Sequence, residues 1–175
     1  MRYLIIALIM FSSNSFSASY SICSEKDSRV QLPVSPIARI SKEKNNSGCT
    51  ATLIGKNCAI TAGHCVSNLH KGEFNVPNSI EGEPVQSTQE DTFFIDPNSI
   101  KFQDEGRGND WAVFKFKKNK KTGLYPGDLF GHFEVENYEP KNSDLLKISG
   151  YGIHYNDKQI SYTLLSAQGL SLIHI

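Results

Sequence analysis

The chain has 175 residues, and its hydrophobic and aromatic fractions of 39% and 10% are typical of a globular protein and exclude a disordered tail. Its 18 basic residues balance its 18 acidic residues. Nucleic-acid-binding proteins usually carry a basic excess on one face, so this neutral balance predicts no nucleic-acid partner.

The first residues differ in composition from the rest of the chain. Met1 and Arg2 supply a short positive start, residues 4–11 form an apolar run, and residues 12–19 are mostly small and polar. This pattern predicts a secretory signal peptide over residues 1–19, with two spacings of serine that leave the cleavage position open. The apolar run is shorter than the about 20 residues that cross a bilayer, which predicts no membrane anchor. We therefore expect a secreted protein, either extracellular or periplasmic.

The next part of the chain has the pattern of strands. In residues 23–44, apolar and polar positions alternate around two prolines that disfavour a helix, which predicts extended chain entering a sheet. Residues 50–54 and 58–61 are β-prone runs joined by Gly-Lys-Asn, which predicts a hairpin. Residues 66–91 are polar and interrupted by Gly and Pro, and they predict a loop with at most one strand.

Short strands continue in the second half. Residues 92–96 and 99–103 predict a pair of strands around Pro97 and Asn98, and residues 111–116 predict a strand after a Gly-Arg-Gly-Asn turn. Closely spaced strands without a helical period favour an all-β fold, a barrel or a sandwich.

Residues 115–121 contain six positions that are Lys or Asn. We interpret them as a solvated loop after a strand, with an anionic-ligand patch as the alternative. Residues 123–131 are rich in turn formers and mark a domain junction, after which residues 145–151 begin a new set of strands.

The four cysteines bear on the compartment and on metal binding. In an exported protein an even number of cysteines predicts disulfide bonds, and four cysteines allow three pairings. The sequence has no Cys-x-x-Cys pair and no histidine cluster at ligand spacing, so we expect neither a structural zinc site nor any cofactor. The cysteines are Cys23, Cys49, Cys58 and Cys65.

Two residues could carry chemistry together. His64 follows a β-prone run and precedes Cys65. The two-residue strand period puts Asp110 on the same face as Ala112, Phe114 and Phe116, which would aim a carboxylate at an apolar interior. A buried charge needs a partner, and a carboxylate bound to one imidazole nitrogen leaves the other free as a general base. By themselves, the two residues also fit a structural histidine and a turn-capping aspartate.

Three motifs extend this interpretation. Residues 48–54 (GCTATLI) and 60–65 (ITAGHC) resemble the segment around the catalytic histidine of trypsin-like serine proteases. Residues 109–113 (NDWAV) are similar to the strand of that family that bears the catalytic aspartate, and residues 149–152 (SGYG) resemble an early motif of its second barrel. The motifs occur in the family order, and the 46 positions between His64 and Asp110 match the family spacing.

Departures from the animal-type pattern accompany the resemblance. Gly63 stands where Ala is commoner and Trp111 where Ile is common, and no Ile-Val-Gly-Gly start is present. Residues 27–30 and 53–55 most resemble the bacterial glutamyl-endopeptidase-like branch. That branch implies cleavage after glutamate.

The resemblance implies a chymotrypsin-like double antiparallel β-barrel with a complete first barrel and a partial second one. The corresponding ranges are the first barrel at 20–130 and the start of the second at 131–169. It implies a secreted, monomeric serine endopeptidase that acts on protein or peptide substrates through an acyl-enzyme. His64 would be the general base and Asp110 its orienting carboxylate.

The resemblance also implies a disulfide bond between Cys49 and Cys65, beside the histidine. Cys23 and Cys58 then remain as a second possible pair. A buried thiol at Cys58 is the alternative.

The sequence has no Gly-x-Ser-Gly motif for the nucleophile. About 155 residues follow the predicted signal peptide, and a two-barrel domain needs roughly 200 to 250. We therefore expect an inactive fragment of a longer gene, in which residues 170–175 are an artificial tail. The alternative is a catalytically silent homologue that acts as a binding module.

Overall fold

A computed structural model describes residues 30–32, 35–42, 48–139, 141, 144–156 and 159–170. The predicted signal peptide, Cys23 and residues 171–175 lie outside the described residues. A 3-10 helix spans Gly63–Asn68 and a short helix, α1, spans Pro126–Phe130. The strands are β1 (Val30–Gln31), β2 (Ile37–Ser41), β3 (Gly48–Leu53), β4 (Cys58–Thr61), β5 (Lys71–Glu73), β6 (Thr92–Asp104), β7 (Asp110–Phe116), β8 (Leu145–Asn156) and β9 (Gln159–Leu170).

Six strands close into an antiparallel barrel in the order β2-β3-β4-β7-β6-β5. The predicted hairpin is confirmed as β3 and β4, which pair through Thr52 with Ile60 and Leu53 with Ala59. A second sheet has the order β1-β9-β8. This confirms the predicted all-β fold with a complete first barrel and a partial second one. The predicted domain limits remain predictions.

An aromatic core fills the barrel, because alternate positions along each strand point inward. Phe74, Phe93 and Phe116 are almost completely buried and meet edge to face. Phe130, from α1, stacks on Phe74 with ring centroids 4.5 Å apart. The short helix therefore covers one end of the barrel.

The prediction of two strands around Pro97 and Asn98 is wrong. The structure has one long strand, β6, whose pairing with β7 shifts between Asp96 and Lys101. A bulge of this kind takes the extra residues out of the ladder, so Pro97 has no backbone hydrogen bond to lose. The Ser99 hydroxyl donates to the Asp96 carbonyl and accepts from the Lys115 N–H, which stabilises the bulge.

The polar segment 66–91 contains one strand, β5, which closes the barrel between β2 and β6. A buried ion pair lies where the rest of this segment covers β2 and β5. The Arg39 guanidinium donates to Glu73 Oε2 at 3.1 and 3.3 Å and to the Val85 carbonyl at 2.7 Å. Glu73 Oε1 accepts from the Ser87 N–H at 3.3 Å. These contacts connect the covering segment to the barrel wall.

The second sheet contacts the barrel through β8. The Tyr151 N–H donates to Thr50 Oγ1 at 2.8 Å. Burial raises the pKa of Tyr151 to about 12. The predicted motif at residues 149–152 therefore lies at the junction of the two sheets. Within the part of the chain that the structure describes, no helix is both long and apolar enough to cross a bilayer.

Candidate active site

His64 lies at the start of the 3-10 helix that follows β4. A disulfide bond between Cys49 and Cys65 joins this helix to β3, as predicted, and closes a loop with a sequence separation of 16. The His64 side chain is 63% exposed, so its ring is accessible from solvent. The crosslink therefore holds an accessible imidazole beside the barrel wall.

Asp110 is the first residue of β7, after a tight turn. The Glu105 N–H donates to the Asn109 carbonyl, and the turn contains Gly106 and Gly108 at φ of 91° and 83°. Such positive φ angles favour glycine because a Cβ atom would be strained there. The turn thus places Asp110 opposite Asp104 of β6 at the rim of the barrel.

The imidazole and the carboxylate meet in a two-point contact. His64 Nδ1 lies 2.7 Å from Asp110 Oδ2, and the His64 backbone N–H donates to Asp110 Oδ1 at 2.9 Å. The backbone N–H and the imidazole of His64 hold the pKa of the Asp110 carboxyl below its ordinary value. An ionised carboxylate at this distance favours the proton on Nδ1, which leaves Nε2 free to accept another proton.

The expectation that Asp110 points into the apolar interior is only partly correct. Ala112, Phe114 and Phe116 of the same strand are buried, but the Asp110 side chain is 29% exposed. The reason is its place at the end of β7, where the barrel opens. The Asp110 carboxylate therefore contacts His64 while it remains partly exposed to solvent.

Sequence reasoning missed Gln103, which contacts both residues at which the chain departs from the common family pattern. A Cβ atom added to Gly63 would lie 1.8 Å from the Gln103 carbonyl oxygen and 3.1 Å from Asp110 Oδ1. The Trp111 indole donates to Gln103 Oε1 at 2.9 Å. Gly63 and Trp111, which differ from the common family pattern, thus share Gln103 of β6 as a neighbour. Only the pairing of β6 with β7 reveals this connection.

Gly63→Ala is therefore expected to destabilise this chain by about 1–3 kcal/mol, because the new methyl group must displace the backbone of β6 or the Asp110 carboxylate. Urea unfolding would measure the loss, and the imidazole NMR signals of His64 would report the displacement. Gly55→Ala is the matched control, since its Cβ would meet nothing closer than 3.6 Å. Equal stability of the two variants would contradict the expectation.

The lowered pKa of Asp110 also predicts a pH dependence. Its folded-state value lies below the unfolded one, so its contribution is present above the unfolded pKa of about 3.9 and is lost as pH falls through the folded pKa. We expect the melting temperature of the wild type to fall more steeply than that of Asp110→Asn as pH falls below about 4. Circular dichroism melts across this range would measure both slopes. Parallel curves would show that the carboxylate contributes nothing.

The cysteines around the site offer no ordinary metal centre. Ligand atoms of Cys49, His64 and Cys65 lie within 4.8 Å of one another, but the two sulfurs are joined in the disulfide bond and are not thiolates. Cys58 is half-buried and has no disulfide partner among the described residues, whereas the alternative prediction was a buried thiol. Its predicted partner, Cys23, lies outside the described residues, so the Cys23–Cys58 pairing stays a prediction.

The chain matches one family model and several solved structures. A family model described as Trypsin matches residues 28–170. A solved Glu endopeptidase in complex with MPD is 20% identical, with a TM-score of 0.58, over 88% of this chain and 73% of that one. Protease Anisep from Arthrobacter nicotinovorans is 18% identical, with a TM-score of 0.53, over 81% of this chain and 67% of that one.

A thermostable serine protease, AL20, from an extremophilic microorganism is 15% identical, with a TM-score of 0.53, over 78% of this chain and 66% of that one. No curated protein is significantly similar in sequence. The solved structures support the fold, and the family model covers most of the chain.

Proposed function

The chain belongs to the trypsin family, and from this premise we propose that it is the histidine- and aspartate-bearing part of a secreted serine endopeptidase. His64 is the general base, and Asp110 orients it and stabilises its charged form. The observation that carries the proposal is the 2.7 Å contact between His64 Nδ1 and Asp110 Oδ2, on an imidazole that is otherwise exposed.

The chemistry is peptide-bond hydrolysis through an acyl-enzyme. Nε2 of His64 takes the proton of a serine hydroxyl as its oxygen attacks the scissile carbonyl carbon. The imidazolium then gives this proton to the leaving amine as the C–N bond breaks. In the second half, His64 accepts a proton from water, which attacks the ester, and returns it to the serine oxygen.

We propose that the serine and the oxyanion donors come from sequence beyond residue 170. Apolar side chains that the second sheet leaves exposed support this, because a continuation of the second barrel would cover them. Large exposed apolar surfaces mark places where a partner or a missing element packs. The most exposed of these are Ile148, Leu145 and Val30, at 76%, 68% and 60%.

Secretion and substrate class belong to the same proposal. The Cys49–Cys65 disulfide bond favours an oxidising compartment, which agrees with the predicted signal peptide at 1–19. The substrates are proteins or peptides. Because the motifs at 27–30 and 53–55 resemble the glutamyl-endopeptidase-like branch, peptides with Glu before the scissile bond are the first to test.

The deciding experiment is to clone and sequence the native gene through and beyond codon 169, then to assay its complete product. A Gly-x-Ser-Gly motif in frame and hydrolysis of Glu-containing peptides would support the endopeptidase. An uninterrupted native frame that stops without such a motif would favour the catalytically silent binding module instead.

A further inference from the structure

The lysine-rich loop that follows β7, residues 117–121 and here called the basic loop, borders two grooves on the barrel surface. One groove, of about 370 Å³, is lined by residues that include Lys71, Gln89, Phe94, Lys120 and Lys121. The other, of about 390 Å³, shares Phe94 and Lys120. The second groove is also lined by Lys117, Lys118 and His70. Together the two form one continuous surface, here called the basic groove.

An apolar ring lies in the middle of the basic groove. Phe94 is 44% exposed, although its neighbours Phe93 and Ile95 on β6 are buried. The Phe94 ring packs edge to face against the His70 ring, with the ring centroids 5.6 Å apart. An exposed phenylalanine between lysines offers a ligand both an apolar contact and positive charge.

The lysines differ in their partners. Lys71 contacts the buried Glu73, and Lys121 pairs with Glu90. The Lys118 ammonium lies 5.3 Å from the centre of the Tyr125 ring. Among the described residues, Lys117 and Lys120 have no ion pair with a carboxylate. These two cations are therefore available to an acidic ligand.

Asn119 holds the basic loop in place. It is only 5% exposed, and its Nδ2 lies 2.7, 3.1 and 2.9 Å from the carbonyl oxygens of Gln89, Glu90 and Thr92. Its Oδ1 accepts from the N–H groups of Lys121 and Thr122. A ligand therefore meets a loop whose backbone is already ordered, which lowers the entropy cost of binding.

We propose that the basic groove binds an acidic segment of a polypeptide, with carboxylates on Lys117 and Lys120 and an apolar side chain on Phe94. A polypeptide can present both kinds of group within a few residues, and the groove is lined by both lysines and Phe94. Nucleic-acid binders usually show an overall basic excess, and this chain has a net charge of zero. Charge complementarity thus favours an acidic peptide.

The lysines that follow β7 lie at the end of that strand opposite Asp110. Strand β7 runs from Asp110 to Phe116, so the backbone of Lys117 is roughly 20 Å from Asp110 at about 3.3 Å per residue. Binding here does not require peptide hydrolysis. A polypeptide that reached both places would bind the second one at a raised effective concentration.

Fluorescence anisotropy with the full chain tests the proposal. The probe is a short labelled peptide in which Glu and Asp alternate with Leu and Ala, and its reference carries Gln and Asn instead. We expect the acidic peptide to bind at least about tenfold more tightly, and its affinity to fall with salt. The Lys117→Gln/Lys120→Gln variant should lose about tenfold in affinity and show a weaker salt dependence.

Lys101→Gln/Lys147→Gln is the matched control, because it removes the same charge from exposed lysines on β6 and β8. Its affinity should be unchanged. Phe94→Ser should weaken binding while the salt dependence stays the same. Equal binding of the two peptides, or equal loss in the two double variants, would overturn the proposal.

Heparin fragments and single-stranded DNA are measured in the same assay. If either binds more tightly than the acidic peptide, the groove is assigned to another class of polyanion. That result would overturn the proposal of a polypeptide ligand. The outcome is separate from the sequencing and hydrolysis tests of the endopeptidase, because none of these variants touches His64 or Asp110.

Discussion

Asp110→Asn is expected to lower kcat for peptide hydrolysis by about 10,000-fold in the product of the complete native gene, the magnitude that this change has in a serine-protease triad. The asparagine Oδ1 can still accept from the His64 N–H, so the local fold should persist. Its NH₂ group would instead donate to Nδ1, which places the imidazole proton on Nε2. The histidine then cannot take a proton from serine.

Steady-state kinetics on a Glu-containing peptide would measure this loss. Asp104→Asn is the matched control, since Asp104 lies directly opposite Asp110 in the β6–β7 ladder and is exposed. The control removes a neighbouring charge without touching the imidazole hydrogen bond. A loss of similar size in both variants would show that local charge, and not the orientation of His64, limits the rate.

Glu73→Leu is expected to destabilise the chain by about 3–5 kcal/mol, because it leaves the Arg39 guanidinium charged and buried without its partner. Both side chains are almost fully buried, at 5% and 2% exposed. Lys71 loses its contact with Glu73 Oε1 in the same variant. A free energy of unfolding of 5–15 kcal/mol is typical of a folded domain, so this loss is a large part of it.

Urea denaturation would measure the change, with two comparisons. Arg39→Met/Glu73→Leu should regain a substantial part of the loss, since it removes the unpaired guanidinium, while Lys71 still lacks its contact with Glu73. Glu90→Leu breaks an exposed ion pair with Lys121 and should have a much smaller effect. A double variant as unstable as Glu73→Leu would contradict the explanation by unpaired charge.

The strand pattern was largely predictable, because alternation of apolar and polar residues reports which face of a strand is buried. The hairpin of β3 and β4 and the strand β7 follow from it directly. The bulge in β6 did not, since Pro97 and Asn98 have the local signature of a turn. Whether such a pair turns the chain or sits in a bulge depends on the partner strand, and here β7 supplies the ladder on both sides.

The buried ion pair shows the same limit. Nothing local marks Arg39 or Glu73 as buried, because charged residues normally face solvent. They meet because β2 and β5 are adjacent in the closed barrel and the segment after β5 folds over them. The burial of Arg39 and Glu73 therefore depends on closure of the barrel.

The sequence by itself determined the all-β class, because local runs of residue types report strands. Through its resemblance to trypsin-like serine proteases, the sequence also predicted the roles of His64 and Asp110 and the cysteine pair beside the histidine. The tertiary structure decided the two-point contact between imidazole and carboxylate, the role of Gln103 beside Gly63 and Trp111, and the groove around Phe94. Each of these joins residues from different strands, and the contacts exist only once strand pairing and barrel closure bring the side chains together.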